Sequence, residues 1–377
     1  MSKNSLSNLP EVVKVFFRLG LIGFGGPAAH IAMMEEEVVS KRKWMSRQHF
    51  LDLMGATNLI PGPNSTEMTM HCGHERAGKI GLFAAGLAFI FPAVVLTLAL
   101  AWFYGEYGEV PEIAPFFNGI QPAVIAIIFG AIFKLGKKAF KNYQLGIIGG
   151  LMVVAVFLGM SEPVAVVSSG IIAMLWFGFL NRNLNTKAIS PLFLLFSVPL
   201  IKKISLSHIF LLFLKVGCIL FGSGYVLIAY LDGELVDKLQ WLSESQLLDA
   251  IAMGQFTPGP VLTAATFVGY QLQGFSGALA ATAGIFLPSF IFVLILNPII
   301  PKLSKSKIAR SFLDGVNVGA VSIMLAVSYR LVLHSIVDWK SILILLFGIF
   351  FTFGPKKLSS LFIVFGGMVL GYLLSLV

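Results

Sequence analysis

The chain has 377 residues, of which 57% are hydrophobic and only 12% are charged, and its mean hydropathy is +0.87. So few polar residues cannot cover the surface of a water-soluble domain, which excludes that class of protein. The formal net charge of +9 comes from basic residues in short loops between apolar runs. That pattern is typical of the cytoplasmic loops of membrane proteins, so we expect the lipid bilayer as a partner and no nucleic acid.

Long apolar runs follow a short polar tail at residues 1–10. They are Gly81–Tyr104, Ile120–Phe133, Leu145–Met160, Pro163–Leu180, Gly217–Leu231, Gly277–Ile300, Val316–Tyr329, Ser341–Gly354 and Leu358–Val377. Several reach the roughly 20 residues that a tilted helix needs to cross the hydrocarbon core. The sequence therefore predicts an all-α polytopic protein of the cell membrane, that is, the plasma or inner membrane.

Residues of the first half recur in the second half at an almost constant spacing. The identical pairs at an offset of 197 are Gly20/Gly217, Phe24/Phe221, Gly25/Gly222, Glu37/Glu234, Trp44/Trp241, Ser46/Ser243, Asp52/Asp249, Pro61/Pro258, Gly62/Gly259, Pro63/Pro260 and Thr66/Thr263. After one deletion, pairs such as Gly73/Gly269, Gly78/Gly274 and Gly81/Gly277 align at an offset of 196. A chance match between apolar runs would not align tryptophan, acidic residues and two Pro-Gly-Pro triplets. We predict a tandem duplication with repeats at 11–190 and 205–377, joined by a linker at 191–204.

The charges of equivalent loops predict that the two repeats lie in opposite orientations. Residues 105–115 contain three acidic residues and no cation, whereas residues 301–311 contain four cations. By the positive-inside rule the first loop lies outside and the second inside. This orientation puts the N-terminus outside, which the positive charges of Lys3 and Lys14 do not favour. Opposite orientation requires an odd number of crossings in each repeat. We therefore predict two homologous inverted-topology repeats with about ten transmembrane helices in total.

Each repeat is interrupted by a Pro-Gly-Pro triplet, at Pro61, Gly62 and Pro63 in the first and at Pro258, Gly259 and Pro260 in the second. Proline ends a helix and glycine permits a tight reversal, so we predict two re-entrant helical hairpins. Such a break is tolerated in a membrane only within protein or beside a water-filled cavity. Broken helices near the midplane carry the substrate site in transporters built from inverted repeats. A structural kink or a surface loop is the alternative interpretation.

The helix after each triplet is predicted to bind an anion at its N-terminus. The residues expected there are Asn64, Ser65 and Thr66 in the first repeat and Thr257, Val261, Leu262 and Thr263 in the second. Unpaired first-turn N–H groups and the positive end of the helix dipole both favour a bound anion.

Arg18 and Lys215 occupy equivalent positions shortly before the glycine breaks "GFGG" and "FGSG". A cation near the bilayer centre costs roughly 3 kcal/mol or more, and a bound dianion would offset that cost. We therefore interpret both residues as charge partners of an anionic substrate. The alternative is that their side chains extend to the membrane surface.

Four acidic residues recur in pairs and are candidates for proton coupling. Asp52 and Asp249 precede the triplets on the entering helices, and Glu37 and Glu234 follow the first helix of each repeat. A carboxylate beside a cavity exchanges protons, which would couple transport to the proton gradient. Helix capping or solvation in a loop is the alternative interpretation.

The serines and tryptophans before the entering helices have structural interpretations. Ser46 and Ser243 are predicted N-caps, and Ser243 forms a capping box with Gln246. Trp44 and Trp241 are predicted interfacial anchors.

The sequence contains no motif for a cofactor, a metal or an enzyme reaction. Cys72 and Cys218 lie in unrelated contexts, and His71, Cys72 and His74 lack a second set of ligands. We predict no metal, no cofactor and no enzymatic activity. A membrane-bound reductase would need a flavin, haem or thiol motif.

The segments "FGGPAAH", "NLIPGPNST" and "GQFTPGP", with the spacing W-x-S-x-x-x-F-x-D, resemble the chromate ion transporter family in its long, two-domain form. The resemblance covers nearly the whole chain, and it places Gly25, Gly26, Pro27 and the first triplet in the family's signature segments. Asn58 and Gly222 complete the candidate substrate-binding residues. In the second repeat Ser223 and Gly224 replace Gly26 and Pro27, so the halves need not contact substrate equally.

The resemblance implies export of chromate from the cytoplasm, driven by exchange with protons. The expected partners are a small inorganic oxyanion, protons and the bilayer, and the oligomeric state, including a homodimer, stays open. Sulfate and molybdate have the same charge and a similar tetrahedral shape, so a transporter of another oxyanion is one alternative. A passive anion channel built on the same repeats is the other.

Overall fold

A computed structural model describes residues 6–24, 26–57, 60–108, 110, 113–180, 204–221, 224–296, 306–355 and 357–376. Every regular element in these ranges is helical, which confirms the expected all-α class. The helices of the first half are α1 (Leu9–Ile22), α2 (Pro27–Met34), α3 (Arg47–Thr57), α4 (Asn64–Tyr107), α5 (Ala114–Ala139), α6 (Tyr143–Phe157) and α7 (Glu162–Leu180). Those of the second half are α8 (Leu206–Ile219), α9 (Leu227–Leu231), α10 (Glu244–Phe256), α11 (Ala264–Leu296), α12 (Lys307–Ser335), α13 (Trp339–Phe353) and α14 (Ser360–Ser375).

Short helical turns of other types recur beside these helices. A π-helical segment follows α2 at Glu35–Lys41, and another follows α9 at Asp232–Lys238. Single 3₁₀ turns precede α9 at Gly224–Val226 and α11 at Val261–Thr263. Helices α1 and α8 begin and end 197 residues apart, which is the offset that relates the identical residues. The two π-helical segments are also 197 residues apart, and α6 and α13 are 196 residues apart.

Four described helices are long and apolar enough to cross a membrane. They are Asn64–Tyr107, Pro115–Ala139, Val261–Ile295 and Ile308–Ser335. Shorter apolar helices occupy Tyr143–Phe157, Glu162–Phe177, Leu206–Ile219, Trp339–Phe353 and Ser360–Ser375. The polytopic membrane class is thus confirmed, whereas the number of crossings and the inverted orientation stay predictions.

Helix α4 is two arms joined at Ala77 and Gly78, where the backbone leaves the helical conformation. Gly78 has φ +64°, a region that glycine enters without strain. In a continuous helix Gly73 and Gly81 would be about 12 Å apart, but here a Cβ on either one would collide with the carbonyl oxygen of the other. The short arm, residues 64–76, therefore folds back against the long arm, residues 79–107. Helix α11 breaks in the same way at Gln273 and Gly274.

The larger of two hydrophobic clusters contains residues of both halves, because each half's last helices pack on the other half. Helices α6 and α7 pack on α12, and α13 and α14 pack on α5 in return. The long helices α4 and α11 pack on each other, with α1 on α4 and α8 on α11. Small residues permit the close approach: Gly119 lies against Gly367, and Gly315 lies against Ser169.

The entering helices begin at the predicted caps. Ser46 Oγ accepts a hydrogen bond from the N–H of His49, at 3.2 Å. Ser243 and Gln246 form the complete capping box at the start of α10, which confirms that prediction. Trp44 and Trp241 are half-buried, and the Arg76 guanidinium lies 5.4 Å from the Trp44 ring centre.

Candidate functional site

Each Pro-Gly-Pro turn is bonded to the glycine break of the other half. The Gly62 N–H donates to the carbonyl of Leu220 at 2.6 Å, and the Gly259 N–H donates to the carbonyl of Gly23 at 2.8 Å. Leu220 follows α8 and Gly23 follows α1, at equivalent positions of the two halves. All six residues of the turns are buried. The backbone groups freed by the breaks are thus satisfied within protein, as burial in a membrane requires.

Glycine is required at both turns by the backbone. Gly62 has φ +141° and Gly259 has φ +92°, conformations that other residues rarely adopt. At Gly62 a Cβ would also collide with the side chains of Glu67 and Ser289.

The N-termini of two helices meet the turns as the sequence predicts. Helix α4 begins at Asn64, and the N–H groups of Thr66 and Glu67 bond to the carbonyl of Pro63 at 2.8 and 3.1 Å. In the second half the N–H of Thr263 bonds to the carbonyl of Pro260 at 3.1 Å. The first-turn N–H groups before these bonds belong to residues 64–65 and 261–262, at the positive ends of the helix dipoles.

The threonines of the second turn close it with local hydrogen bonds. Thr263 Oγ1 donates to the carbonyl of Pro260 at 3.0 Å and lies 3.3 Å from Thr257 Oγ1. Thr257 Oγ1 donates to the carbonyl of Gly254 at 3.3 Å. The equivalent hydroxyl of the first half, Thr66 Oγ1, is buried and has no hydrogen-bond partner.

The two predicted cations differ in their surroundings. Arg18 is exposed on α1, and the described part of the chain offers it no hydrogen bond or ion pair. Lys215 is largely buried and lies 2.9 Å from the carboxylate of Glu234, which also binds Lys238 at 2.8 Å. Lys215 is therefore held in an ion pair, whereas no described residue holds Arg18 in the same way.

Glu37 and Glu234 lie in ion pairs on the π-helical segments. Glu37 binds Lys41 at 3.1 Å and Arg42 at 3.4 Å. Burial acts to raise the pKa of both carboxyl groups, but the hydrogen bonds and charges of the neighbouring cations outweigh it and the pKa of each lies below its ordinary value. Both groups therefore stay ionised near neutral pH, which makes them poor proton carriers.

Asp249 and Asp52 occupy equivalent positions but different environments. Asp249 is 4% exposed, and its carboxylate accepts hydrogen bonds from Tyr104 Oη at 2.7 Å and from Gln121 Nε2 at 3.3 Å. Asp52 is exposed and is bonded to Gln48. The difference arises because α10 is enclosed by α5, α12 and α14, whereas α3 packs on α4 and its preceding π-helical segment.

Sequence reasoning missed one acidic residue at the first turn. Glu67 lies in the first turn of α4 with a relative exposure of 0%, and neither carboxyl oxygen has a hydrogen bond of good geometry. Ser289 of α11 places its hydroxyl at the same side of Gly62. The equivalent of Glu67 in the second half is Ala264, so a search for residues that recur in both halves passes over it. The signal available was an acid four residues after the Pro-Gly-Pro triplet in an otherwise uncharged stretch.

A second missed cluster joins the two halves at Arg330 of α12. Its guanidinium binds Asp232 at 2.5 Å and Asp237, both of the second π-helical segment, and lies 3.9 Å from Glu162 of α7. Burial raises the pKa of Asp232 to about 7, although the charge of Arg330 acts to lower it.

Several predicted positions lie outside the described residues. They are Gly25, Asn58 and Gly222 of the candidate site, with Ser223, residues 109, 111–112 and 301–305 of the two equivalent loops, and residues 191–203 of the predicted linker. Gly26 is described: it has φ +78° directly before Pro27, which begins α2. In the ranges that the structure describes, no group of three or more His, Cys, Asp or Glu side chains is arranged to hold a metal ion.

Comparison with known proteins shows which family and which relatives the chain is similar to. The family model "Chromate transporter" matches residues 10–176 and again residues 207–372. The chain is 31% identical to the chromate transport protein of Cupriavidus metallidurans over 96% of this chain and 92% of that protein. A probable chromate transport protein of Synechococcus elongatus is 31% identical over 87% of this chain and 86% of its own length. An uncharacterized transporter of Methanocaldococcus jannaschii is also 31% identical, over 99% of this chain and 96% of its own length.

No solved structure shows significant similarity to the chain. The family model matches in two segments that together span most of the sequence. The chain therefore belongs to the chromate transporter family, a family of membrane transporters and not of enzymes.

Proposed function

We propose that the protein is a secondary active transporter that exports an oxyanion, chromate, from the cytoplasm by exchange with protons. The observation that carries this proposal is the pair of hydrogen bonds from Gly62 to Leu220 and from Gly259 to Gly23. These bonds bring two helix N-termini from opposite halves to the contact between the halves. That is the location of the substrate in transporters with inverted repeats.

The substrate class follows from the donors and from the relatives. Helix N-termini supply backbone N–H groups and a positive dipole end, which suit an anion. Two of the similar proteins are named as chromate transport proteins, one of them as probable. Backbone amides discriminate weakly between tetrahedral dianions, so sulfate and molybdate are the competitors to test.

Access to the site requires that the halves move. Both turns are buried, so the structure is closed around them. The proposed inverted orientation of the repeats is compatible with such a motion, because rocking of one helix bundle against another exposes a central site first to one side and then to the other.

Asp249 is the proposed proton carrier for the exchange. It is buried at the contact between the halves, and both of its hydrogen-bond donors come from the first half. One of them, Gln121, also lines a cavity together with Ser245, His334 and Asp338. Gln121 therefore contacts both the carboxylate and the cavity. Glu37 and Glu234 are held in ion pairs and Asp52 is exposed, so none of the three is a buried acid beside such a group.

Flux of radiolabelled chromate into proteoliposomes tests the function. A coupled exporter accumulates chromate when a proton gradient of the correct sign is imposed at zero membrane potential, and it stops when the gradient is collapsed. Chromate that only follows its own electrochemical gradient would identify a passive channel and contradict the proposal. Excess sulfate or molybdate in the same assay shows whether chromate is preferred.

A further inference from the structure

We infer that Glu67 is a substrate-binding residue that presents a protonated carboxyl to the oxyanion at the first Pro-Gly-Pro turn. The inference rests on the proposed function of oxyanion transport. It makes the binding site asymmetric and dependent on pH.

The carboxyl of Glu67 is fully enclosed at a helix N-terminus. Its relative exposure is 0%, and neither oxygen has a hydrogen bond of good geometry. One carboxyl oxygen and the Ser289 hydroxyl both border the space where a Cβ of Gly62 would lie. The Ser289 hydroxyl is the polar neighbour of this carboxyl, and the Thr66 hydroxyl is buried without a hydrogen-bond partner. A buried carboxyl with no hydrogen bond of good geometry is unusual, because buried polar groups are nearly always satisfied.

The fold does not require this polar group. Ala264 is equivalent to Glu67 and Ala93 is equivalent to Ser289. At the second turn Ala93 stands against Gly259, as Ser289 stands against Gly62 at the first. The second turn keeps its positive φ and its bond to the other half with alanines in both places. The polarity of the first turn is therefore available for a ligand.

Burial decides which form of Glu67 suits a bound dianion. An ionised carboxylate in a dry site beside a dianion would face both the loss of hydration and like-charge repulsion. The neutral carboxyl avoids both, and its O–H donates a hydrogen bond to an oxyanion oxygen. Protonation of Glu67 and binding of the anion are then linked, and each favours the other.

The other titratable groups on the elements packed here have different partners or positions. Elements α1, α2, α3, α10 and α11 pack on α4, and no charged side chain of their described residues pairs with Glu67. The titratable side chains of these five elements are Glu11, Lys14, Arg18, His30, Arg47, His49, Asp52, Glu244, Asp249 and Tyr270. Glu11 binds Arg42 and Arg76, and His30 contacts the carbonyl of Gly23. His71 lies four residues after Glu67, on the same helix face, and is the titrating group that must be distinguished from it.

Chromate affinity measured against pH tests the inference in purified full-length protein. For the wild type we expect the affinity to fall by up to about tenfold per pH unit above the titration of Glu67, as linkage to one proton requires. Glu67→Gln keeps a donor but cannot titrate, so its affinity relative to wild type should rise steadily with pH. Glu67→Ala loses the donor, and its affinity at acid pH should fall by about ten- to hundredfold. Chromate itself takes up a proton near neutral pH, but its speciation is identical for all variants at one pH.

Two control variants keep the test specific. Glu75→Gln removes an exposed carboxylate from the same arm and should leave both affinity and pH profile unchanged. His71→Gln should keep the pH dependence. The inference is overturned if Glu67→Gln retains the wild-type profile, or if His71→Gln alone abolishes it. It is also overturned if folded Glu67→Gln and Glu67→Ala lose binding equally, because the carboxylate would then be the required form. A wild-type protein that binds chromate at no pH would instead overturn the proposed function.

Discussion

At the scale of single residues, the two halves use equivalent acids differently. Asp249 is buried and accepts hydrogen bonds from Tyr104 and Gln121, whereas Asp52 is exposed on α3. A buried carboxylate that changes its proton can bias the contact between the halves, whereas an exposed one equilibrates with water and biases little.

Replacement of Asp249 should therefore uncouple transport from protons. We expect Asp249→Asn to insert and fold, to keep chromate exchange between two chromate-containing compartments, and to lose accumulation driven by a pH gradient. Asp52→Asn is the matched control and should accumulate chromate like the wild type. If Asp249→Asn accumulated as much chromate as the wild type under a pH gradient, Asp249 would not be the residue that couples transport to protons.

The proposed charge partners give a second residue-scale prediction. A hydrogen bond to a charged group contributes about 1.5–3 kcal/mol, so Arg18→Gln and Lys215→Gln should each weaken chromate affinity by about one to two orders of magnitude. Lys14→Gln changes an exposed cation of α1 and should have no effect. Unchanged affinity in Arg18→Gln would show that this exposed side chain only reaches the membrane surface, and the site would depend on Lys215 and the backbone.

These residues also show how far the sequence could predict the site. The repeated triplets, their glycines and the caps are confirmed in place because they depend on local backbone chemistry. The burial of Asp249 depends on α5, α12 and α14, which come from distant parts of the chain, so its sequence neighbours cannot reveal it. Glu67 could not be found by comparing acidic residues of the two halves, because the residue at its equivalent position is Ala264.

At the scale of elements, glycine positions set where helices break and return. Gly78 and Gly274 end the short arms with positive φ, and they were visible in the sequence only as one aligned pair among many. Gly62 and Gly259 differ from them, since their N–H groups also donate to the opposite half.

Gly62→Ala should destabilise the folded protein measurably. A non-glycine residue in a sparsely populated backbone region costs about 1–3 kcal/mol, and here the new Cβ also collides with Glu67 and Ser289. Thermal unfolding in detergent should show a lower midpoint for this variant. Gly150→Ala, on α6 with open space around it, is the control and should unfold at the same temperature as the wild type or slightly above it, because alanine favours a helix more than glycine does. A Gly62→Ala midpoint equal to that of the control would contradict the geometry of the turn.

Asp232, on the second π-helical segment, should make the stability of the folded protein depend on pH. The pKa of Asp232 rises from 3.8 to about 7 on folding, because burial outweighs the effect of Arg330; Asp237, Glu244 and Glu162 act to raise it further. The folded state therefore holds a proton that the unfolded state releases between these values, so this group lowers stability as pH rises through the window. Thermal unfolding of Asp232→Asn should lack this contribution, and its midpoint relative to wild type should increase from about pH 4 to about pH 7. A difference that stays constant over that range would contradict the assignment.

At the scale of the whole molecule, the halves interlock instead of lying side by side. Helices α6 and α7 pack on α12, and α13 and α14 pack on α5, so neither half completes its core alone. The tandem repeat stays a prediction, and the bounds of α1 and α8 differ by the same offset of 197 as its identical residues. The exchange of the last helices between the halves could not be read from sequence, because apolar runs carry no information about which helix they pack against.

The orientation of the two halves is the central claim, and the side of two equivalent loops tests it most directly. Single cysteines at Glu109 and Lys305, in a background without Cys72 and Cys218, are labelled in sealed cells or oriented vesicles with an impermeant thiol reagent. We expect the cysteine at 109 to be labelled from outside and the cysteine at 305 only from the cytoplasmic side. Labelling of both from the same side would contradict the inverted repeats, and with them the placement of the anion site between the two Pro-Gly-Pro turns.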